Sequence, residues 1–339
     1  MRAPDKNRFL KAVKHIQCNE IPLFEHEADP AIVSAMLGKP VDMSLHSFEL
    51  PVPDVIEWNL KMGNDMVYFG NIWRLARKEM VDAAGRRHYV DGMMKTPASL
   101  KDIWYPDLGA LRGRLEEFLR CIEGTGLGIV VCGTSPDKIV SSAMGYQDFC
   151  YAIYENPDFI DDFLARVQEY AMKELEMLLS YPVDGILLTY SLVTSTGSML
   201  NPVMMEKYAD VFMKKQAERI KGAGKLLTIH TDGLVEPLMP LFIDMGVDVI
   251  HPLDPCGGAQ DIYEVKKRWG SRTALQGNID IGGVLAKGNP EQVAEDVRRH
   301  IEGLSADGGY IVASSHDLHQ LIPPANIYAM RDAVHGWRK

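Results

Sequence analysis

The sequence predicts a closed (β/α)8 barrel, and three observations carry that prediction. Eight short apolar runs recur along the 339-residue chain, at residues 21–25, 65–69, 128–131, 185–189, 226–229, 247–250, 273–275 and 310–313. Most are separated by stretches with helical periodicity, and strands alternating with helices form parallel sheets. Each run ends in polar or ionisable residues, as expected of the C-terminal rim of such a barrel. An open doubly wound sheet would instead place a glycine-rich phosphate turn after its first strand. Here that position reads Glu25-His26-Glu27.

In chain order, residues 4–19 carry Phe9, Leu10, Val13 and Ile16 on one helical face, which predicts a helical extension lying on the surface of the fold. The first strand covers 21–25. A helix over 29–37 follows, with Asp29 as its cap and Pro30 at its first position. Residues 41–53 show no period and are expected to be loop. The second strand, 65–69, leads through Asn71 into a polar, hairpin-like excursion with turn signals at Ala84-Gly85 and Asp91-Gly92. We treat residues 71–110 as an insertion in a single barrel domain spanning 1–339. A helix over 111–123 precedes the third strand, 128–131. Helices over 146–155 and 157–179 follow, divided at Asn156-Pro157.

From there the alternation is regular. The fourth strand, 185–189, ends at Tyr190, and a helix over 202–223 stops at Gly222-Ala-Gly224. The fifth strand, 226–229, opens onto His230 and Asp232, two residues apart and so on one side of a continuing strand. A helix over 234–245 leads to the sixth strand, 247–250, which ends in His251-Pro-Leu-Asp254. The helix over 262–269 stops at Gly270. The seventh strand, 273–275, ends at Gly277-Asn278-Ile-Asp280. A helix over 290–303, the eighth strand at 310–313 ending in Ser314-Ser315-His316, and a helix over 324–334 complete the chain.

Composition narrows the function classes. A net charge of −10 offers no basic footprint for nucleic acid. No apolar run approaches the roughly 18 residues of a membrane span, and no signal peptide opens the chain. Five scattered cysteines without a Cys-x-x-Cys pair are expected to be reduced thiols of a cytoplasmic protein.

The polar residues at the strand ends converge on one rim: Glu25, His26, Glu27, Asn71, Thr134, Tyr190, His230, Asp232, His251, Asp254, Asn278, Asp280 and His316. Two imidazoles and a carboxylate from His230, Asp232 and His316 suit Zn2+ with a position left open for substrate. Asp254 is the candidate fourth ligand or a partner that orients one. His319 and Cys256 read as loop residues. Asn278 and Asp280 either orient ligands or cap the next helix. Glu25, Tyr190, Asn278 and His251 are the candidate substrate-binding residues. Tyr190 joins His230, Asp232 and His316 in the candidate catalytic set, offering a ring to stack and a hydroxyl to orient.

Four motifs carry a resemblance: KLLTIHTDG at 225–233, MGVDVIHPLDP at 245–255, LQGNID at 275–280 and GYIVASSHDLHQLIPPANIYAM at 309–330. They resemble the uroporphyrinogen decarboxylase superfamily, above all its cobalamin-dependent methyltransferases, and the resemblance implies a (β/α)8 barrel. The decarboxylases are similar at His316 but carry an arginine-rich N-terminal segment, where this chain has Glu25-His26-Glu27. The thiol-methylating branch holds zinc through His-x-Cys and a later Cys, which match His230, Asp232 and His316; here both sulfurs are replaced.

The resemblance thus implies a zinc-dependent methyltransferase. It would pass a methyl group from a small donor, an O-methyl or methoxyaromatic compound, to the corrinoid of a partner protein. An O/N-ligated zinc is the stronger Lewis acid and suits an ether oxygen, whereas thiol activation needs an electron-rich, sulfur-ligated ion. The other readings are a metal-independent decarboxylase or lyase using His316 and a rim carboxylate, a methylcobalamin-to-thiol methyltransferase, and a small-molecule binding barrel.

Overall fold

A computed structural model describes residues 2–70, 73–83, 85–256 and 260–338. Seven parallel strands form one curled sheet in the order β1 (Met66–Phe69), β4 (Gly128–Cys132), β5 (Gly185–Thr189), β8 (Leu226–Thr231), β9 (Val249–Pro252), β10 (Ala274–Gln276) and β11 (Tyr310–Ile311). Two small antiparallel hairpins, β2 (Arg77–Val81) with β3 (Arg87–Gly92) and β6 (Val193–Thr194) with β7 (Gly197–Ser198), stand outside it. These barrel strands are the second to eighth predicted ones.

The predicted first strand is reduced to a single bridge, Leu23 with Val312. Its other neighbour is β1, and there side chains supplement one backbone bond, from the Asp65 N–H to the Leu23 carbonyl at 2.9 Å. Asn64 Oδ1 accepts from the Glu25 N–H at 3.0 Å, Asn64 Nδ2 donates to the Glu25 carbonyl at 3.0 Å, and Asp65 Oδ2 accepts from the Leu23 N–H at 3.3 Å. Pro22 has no N–H to give. The segment still occupies the eighth position and closes the ring.

Strand alternation divides the core in two. In β4, Val130 and Cys132 point into the barrel with Met66, Tyr68, Leu187, Val249, Ala274 and Ile311, while Ile129 and Val131 face the helices. Both faces are apolar, so a parallel strand reads as an unbroken run. The N-terminal helix Lys6–Val13 does not lie on the outside as expected. Phe9, Ala12 and Val13 are buried in the interior cluster. Asp5 N–H donates to Asp65, Lys6 N–H to the Gly126 carbonyl and Lys6 Nζ to Asp184, and the Ala12 carbonyl accepts from Gly309. All four partners sit just before a strand, so this helix plugs the N-terminal floor of the barrel and leaves the other end for chemistry.

Three helical expectations need correction. Helix Val52–Met62 occupies part of the supposed loop region, with Pro51 and Pro53 at its start rather than breaking it. Helix Pro136–Met144, absent from the prediction, follows β4. The helix expected over 202–223 is Pro202–Met205 and Val211–Gly222 joined by a π-helical turn, Glu206–Asp210. Asp91-Gly92 lies within β3, not in a turn; the hairpin turns at Asp82–Arg86, where the Gly85 N–H donates to the Asp82 carbonyl. Asn71 and Ala84 lie outside the described residues.

Candidate metal centre

The end of β8 delivers His230, and Asp232 follows one residue beyond the strand. His316 comes from the segment after β11. The ligand-capable atoms of these three side chains lie within 4.8 Å of one another. Both imidazoles aim at the same carboxylate oxygen: Nε2 of His230 is 3.4 Å and Nε2 of His316 is 3.7 Å from Asp232 Oδ1. Gly233 lets this loop sit where it does. A Cβ there would lie 2.3 Å from Val193 Cγ1 and 2.8 Å from the Thr194 carbonyl oxygen, and the Gly233 carbonyl accepts from Gln260 at 3.0 Å.

The triad has a supporting layer beneath it. His251, the register partner of His230 on β9, places its Nδ1 2.9 Å from His230 Nδ1. The His26 ring packs on His251 at 4.0 Å between centroids and stacks on Tyr68. Burial, together with the neighbouring imidazoles His26 and His230, holds His251 well below the ordinary imidazole value. Burial and the charge of His230 take His26 down to about 3. Both are therefore neutral rings at neutral pH.

His316 behaves oppositely. Burial alone would lower it, but the hydrogen bond to Asp232 and the charges of Asp317, Asp232 and Glu27 outweigh that and raise it to about 9. Burial likewise disfavours the Asp232 carboxylate, yet His230 and His316 together hold it far below the usual range. The same convergence of donors on Asp232 that favours its carboxylate marks the place a cation could take. Two imidazole nitrogens and one carboxylate oxygen aimed at one point fit a zinc ion with one position left open.

Above the triad lies a cavity of about 320 Å³. Phe48, Tyr68, Tyr146 and Tyr190 supply its aromatic walls, and Glu27, Asp232 and Asp317 its acids. Lys138 is the one lysine or arginine among its described lining residues. Burial and the charge of Asp317 raise Glu27 well above the usual carboxylate range.

The remaining predicted residues fall into place unevenly. Tyr190 lines the cavity, but its hydroxyl donates to Asp210 Oδ1 at 2.6 Å. Glu25 turns away from the mouth, accepting from the Ser314 N–H at 2.6 Å and hydroxyl at 2.5 Å. Asn278 donates to the Leu253 carbonyl at 2.7 Å, with its amide oxygen 3.2 Å from His300 Nε2, and so ties strand ends together. Asp254 is not brought into the triad; its Oδ1 accepts from the Cys256 N–H at 3.0 Å. Asp280 accepts from the Gly282 and Gly283 N–H groups, a turn cap. His251 supports the triad from behind instead of facing the cavity. Phe48, Tyr68, Lys138, Tyr146 and Asp317 were not singled out from sequence. Tyr68 is the one with a signal, a polar-tipped ring at an inward position of a strand.

Residues 94–337 match the family model described as uroporphyrinogen decarboxylase (URO-D). Among curated relatives, the uroporphyrinogen decarboxylase of Ruthia magnifica is 24% identical over 191 residues, covering 55% of this chain and 52% of that protein. That of Aliivibrio salmonicida is 37% identical over 80 residues, covering 23% of this chain and 22% of that protein. The chain thus spans about half or less of the length of the curated relatives it matches. A solved structure described as a methyltransferase from Methanosarcina mazei superposes with a TM-score of 0.76, at 15% identity and 99% coverage of both chains, which shows the shared fold. No helix among the described residues is long and apolar enough to cross a membrane.

Proposed function

The chain belongs to the uroporphyrinogen decarboxylase family, and on that premise we propose that it is a zinc-dependent methyltransferase. It moves a methyl group from a methoxyaromatic or other small O-methyl compound to the corrinoid of a partner protein. The observation that carries this reading is the sulfur-free donor set, with His230 and His316 aimed at one Asp232 oxygen under an aromatic-walled cavity. His230, Asp232 and His316 would hold the ion. Bound there, zinc supplies Lewis acidity at the ether oxygen, where charge develops as the methyl group leaves.

The chain's own groups do the rest. The Phe48, Tyr68 and Tyr146 rings enclose one aromatic ring. His251 keeps His230 in the tautomer that frees its Nε2. The half-buried Glu27, whose carboxyl is raised by burial and by the charge of Asp317, stands in the same cavity for the proton the leaving oxygen must take up. The methyl–oxygen bond breaks heterolytically, with its electron pair staying on oxygen, so the methyl acceptor must be a strong nucleophile such as reduced corrinoid.

The lining also weighs against a uroporphyrinogen-like substrate. Many carboxylates call for several cations, and the cavity pairs one lysine with three acids. Its volume is at the low end for ligand sites and suits one ring better than a tetrapyrrole. The test mixes zinc-replete protein with reduced free cobalamin and a panel of methoxyarenes and follows methylcobalamin by absorbance. Zinc-dependent turnover of a methyl ether is expected. Metal-free protein after growth in zinc-replete medium, or methylation of a thiol from methylcobalamin with no ether turned over, would refute the reading.

A further inference from the structure

The β2–β3 hairpin follows β1 directly and so rises on the same side of the barrel as the metal centre. Its base is fastened to the helix after β4: Tyr89 Oη donates to the Ser142 carbonyl at 3.0 Å and Met94 N–H to the Ala143 carbonyl at 2.8 Å. The next helix, Tyr146–Glu155, joins it through Lys95, which pairs with both Asp91 and Asp148. Tyr146 lines the cavity, and the hairpin's Arg86, Arg87 and His88 line a neighbouring pocket that shares Glu27, His46 and Asp317 with it, so the two elements border the mouth together.

That border is unlike the rest of the surface. Half of the large apolar side chains exposed among the described residues belong to these two elements, and Met93 directly follows the hairpin. They include Met80, Val81 and Val90 of the hairpin, and Tyr151 and Tyr154 of the helix; Met93 is 65% and Tyr154 63% exposed. Methionine, tyrosine and arginine are the types enriched in protein interfaces, and clustered exposed apolar side chains mark one. The border is also less acidic than the chain, although helix Tyr146–Glu155 adds Asp148 and Glu155 and every hairpin cation but Lys78 is ion-paired among the described residues. Residues 74–95 hold six lysines and arginines against three acids, in a chain with 36 against 46. Lys78 forms no ion pair among the described residues and is exposed beside Met80.

We infer that this border, the hairpin with the flank of helix Tyr146–Glu155, is the docking face for the carrier protein, and that the carrier meets it with an acidic surface around its cobalt side. The inference rests on the proposed methyl transfer, which requires a bulky carrier to reach the cavity mouth. The apolar side chains supply contact area, and the basic hairpin steers and selects an acidic partner. Partner and cavity are adjacent through Tyr146, so docking delivers the acceptor to the mouth without the barrel opening.

The experiment compares free reduced cobalamin with purified, cobalamin-loaded carrier proteins of acidic and of basic cobalt-side surface, using the full chain throughout. Lys78→Glu and Met80→Glu, both far from the ligands, should raise KM for the acidic carrier at least tenfold. Their rate with free cobalamin should stay within twofold of the parent. The parent should prefer the acidic carrier, and added salt should weaken that preference. Unchanged KM in both variants, or preference for the basic carrier, would overturn the docking face while leaving methyl transfer standing. Failure of the parent protein to methylate free cobalamin would overturn the functional reading, and the inference with it.

Discussion

His251 stands directly behind His230, its register partner on the adjacent strand, with the two Nδ1 atoms 2.9 Å apart. In a hydrogen bond between these two ring nitrogens only one carries the hydrogen. If His230 is to offer Nε2 to a cation, its Nδ1 must be the donor and His251 the acceptor.

Replacing the acceptor therefore tests the arrangement. His251→Phe keeps the volume but leaves His230 without a partner, and zinc affinity should fall about 10–100-fold, the usual effect of losing such support. His251→Asn retains an acceptor near the Nδ1 position and should recover much of that loss. Competition titration against a chromophoric chelator measures both. Equal affinities in parent, Phe and Asn variants would show that His251 is packing only.

The ligand assignment has its own contrast. His230→Ala and His316→Ala should each abolish stoichiometric zinc, because two remaining donors hold the ion poorly. Asp254→Ala should leave stoichiometry intact, since the Asp254 carboxylate is engaged with the Cys256 N–H and stands outside the convergent triad. Elemental analysis of chelator-free preparations decides it. Zinc lost from the Asp254 variant but kept in the His316 variant would reverse the assignment.

How far the site was readable follows from what each residue depends on. His230, Asp232 and His316 were legible because a strand end is a local feature, and barrel geometry gathers strand ends. The orientation of Glu25 was not. Its side chain follows an eighth segment joined to β1 by one backbone bond and the Asn64 and Asp65 side chains, an arrangement no periodicity reveals. Asn278 likewise meets His300 at a sequence separation of 22. The floor helix was misplaced for a related reason. An amphipathic pattern shows that a face is buried, but Phe9 could as well cover the outside of the sheet as plug its interior. Lys138 reaches the cavity from a helix whose opening Pro136 disguised it, and Phe48 from the short turn Ser47–Glu49, too brief to show a period.

Tyr190 separates a catalytic hydroxyl from a structural one. Its Oη donates to Asp210 at 2.6 Å, and the ring packs edge-on against Phe242. Tyr190→Phe removes the donor and leaves the buried Asp210 carboxylate short of a partner, at a cost of about 1–3 kcal/mol. A lowered unfolding midpoint is expected, with kcat within a few-fold of the parent. A kcat loss of a hundredfold or more at unchanged stability would instead make the hydroxyl part of the chemistry.

Glu25 predicts a pH dependence of stability. Burial pushes its carboxyl up to about 7 against the pull of two hydrogen bonds from Ser314. A carboxyl raised on folding contributes stability in its protonated form. That contribution is complete below the ordinary carboxylate value and is lost as pH rises through about 7. Against an ordinary value of 4.5, the gap corresponds to about 3 kcal/mol at most. Glu25→Gln keeps an acceptor for the Ser314 N–H and cannot ionise. Denaturant unfolding from pH 5 to 8 should therefore show the parent weakening relative to the variant as pH rises, with most of the change between pH 5 and 7.5. A difference that is flat across this range, or that grows in the parent's favour at pH 8, would mean that Glu25 is ionised in the folded protein and compensated by its surroundings.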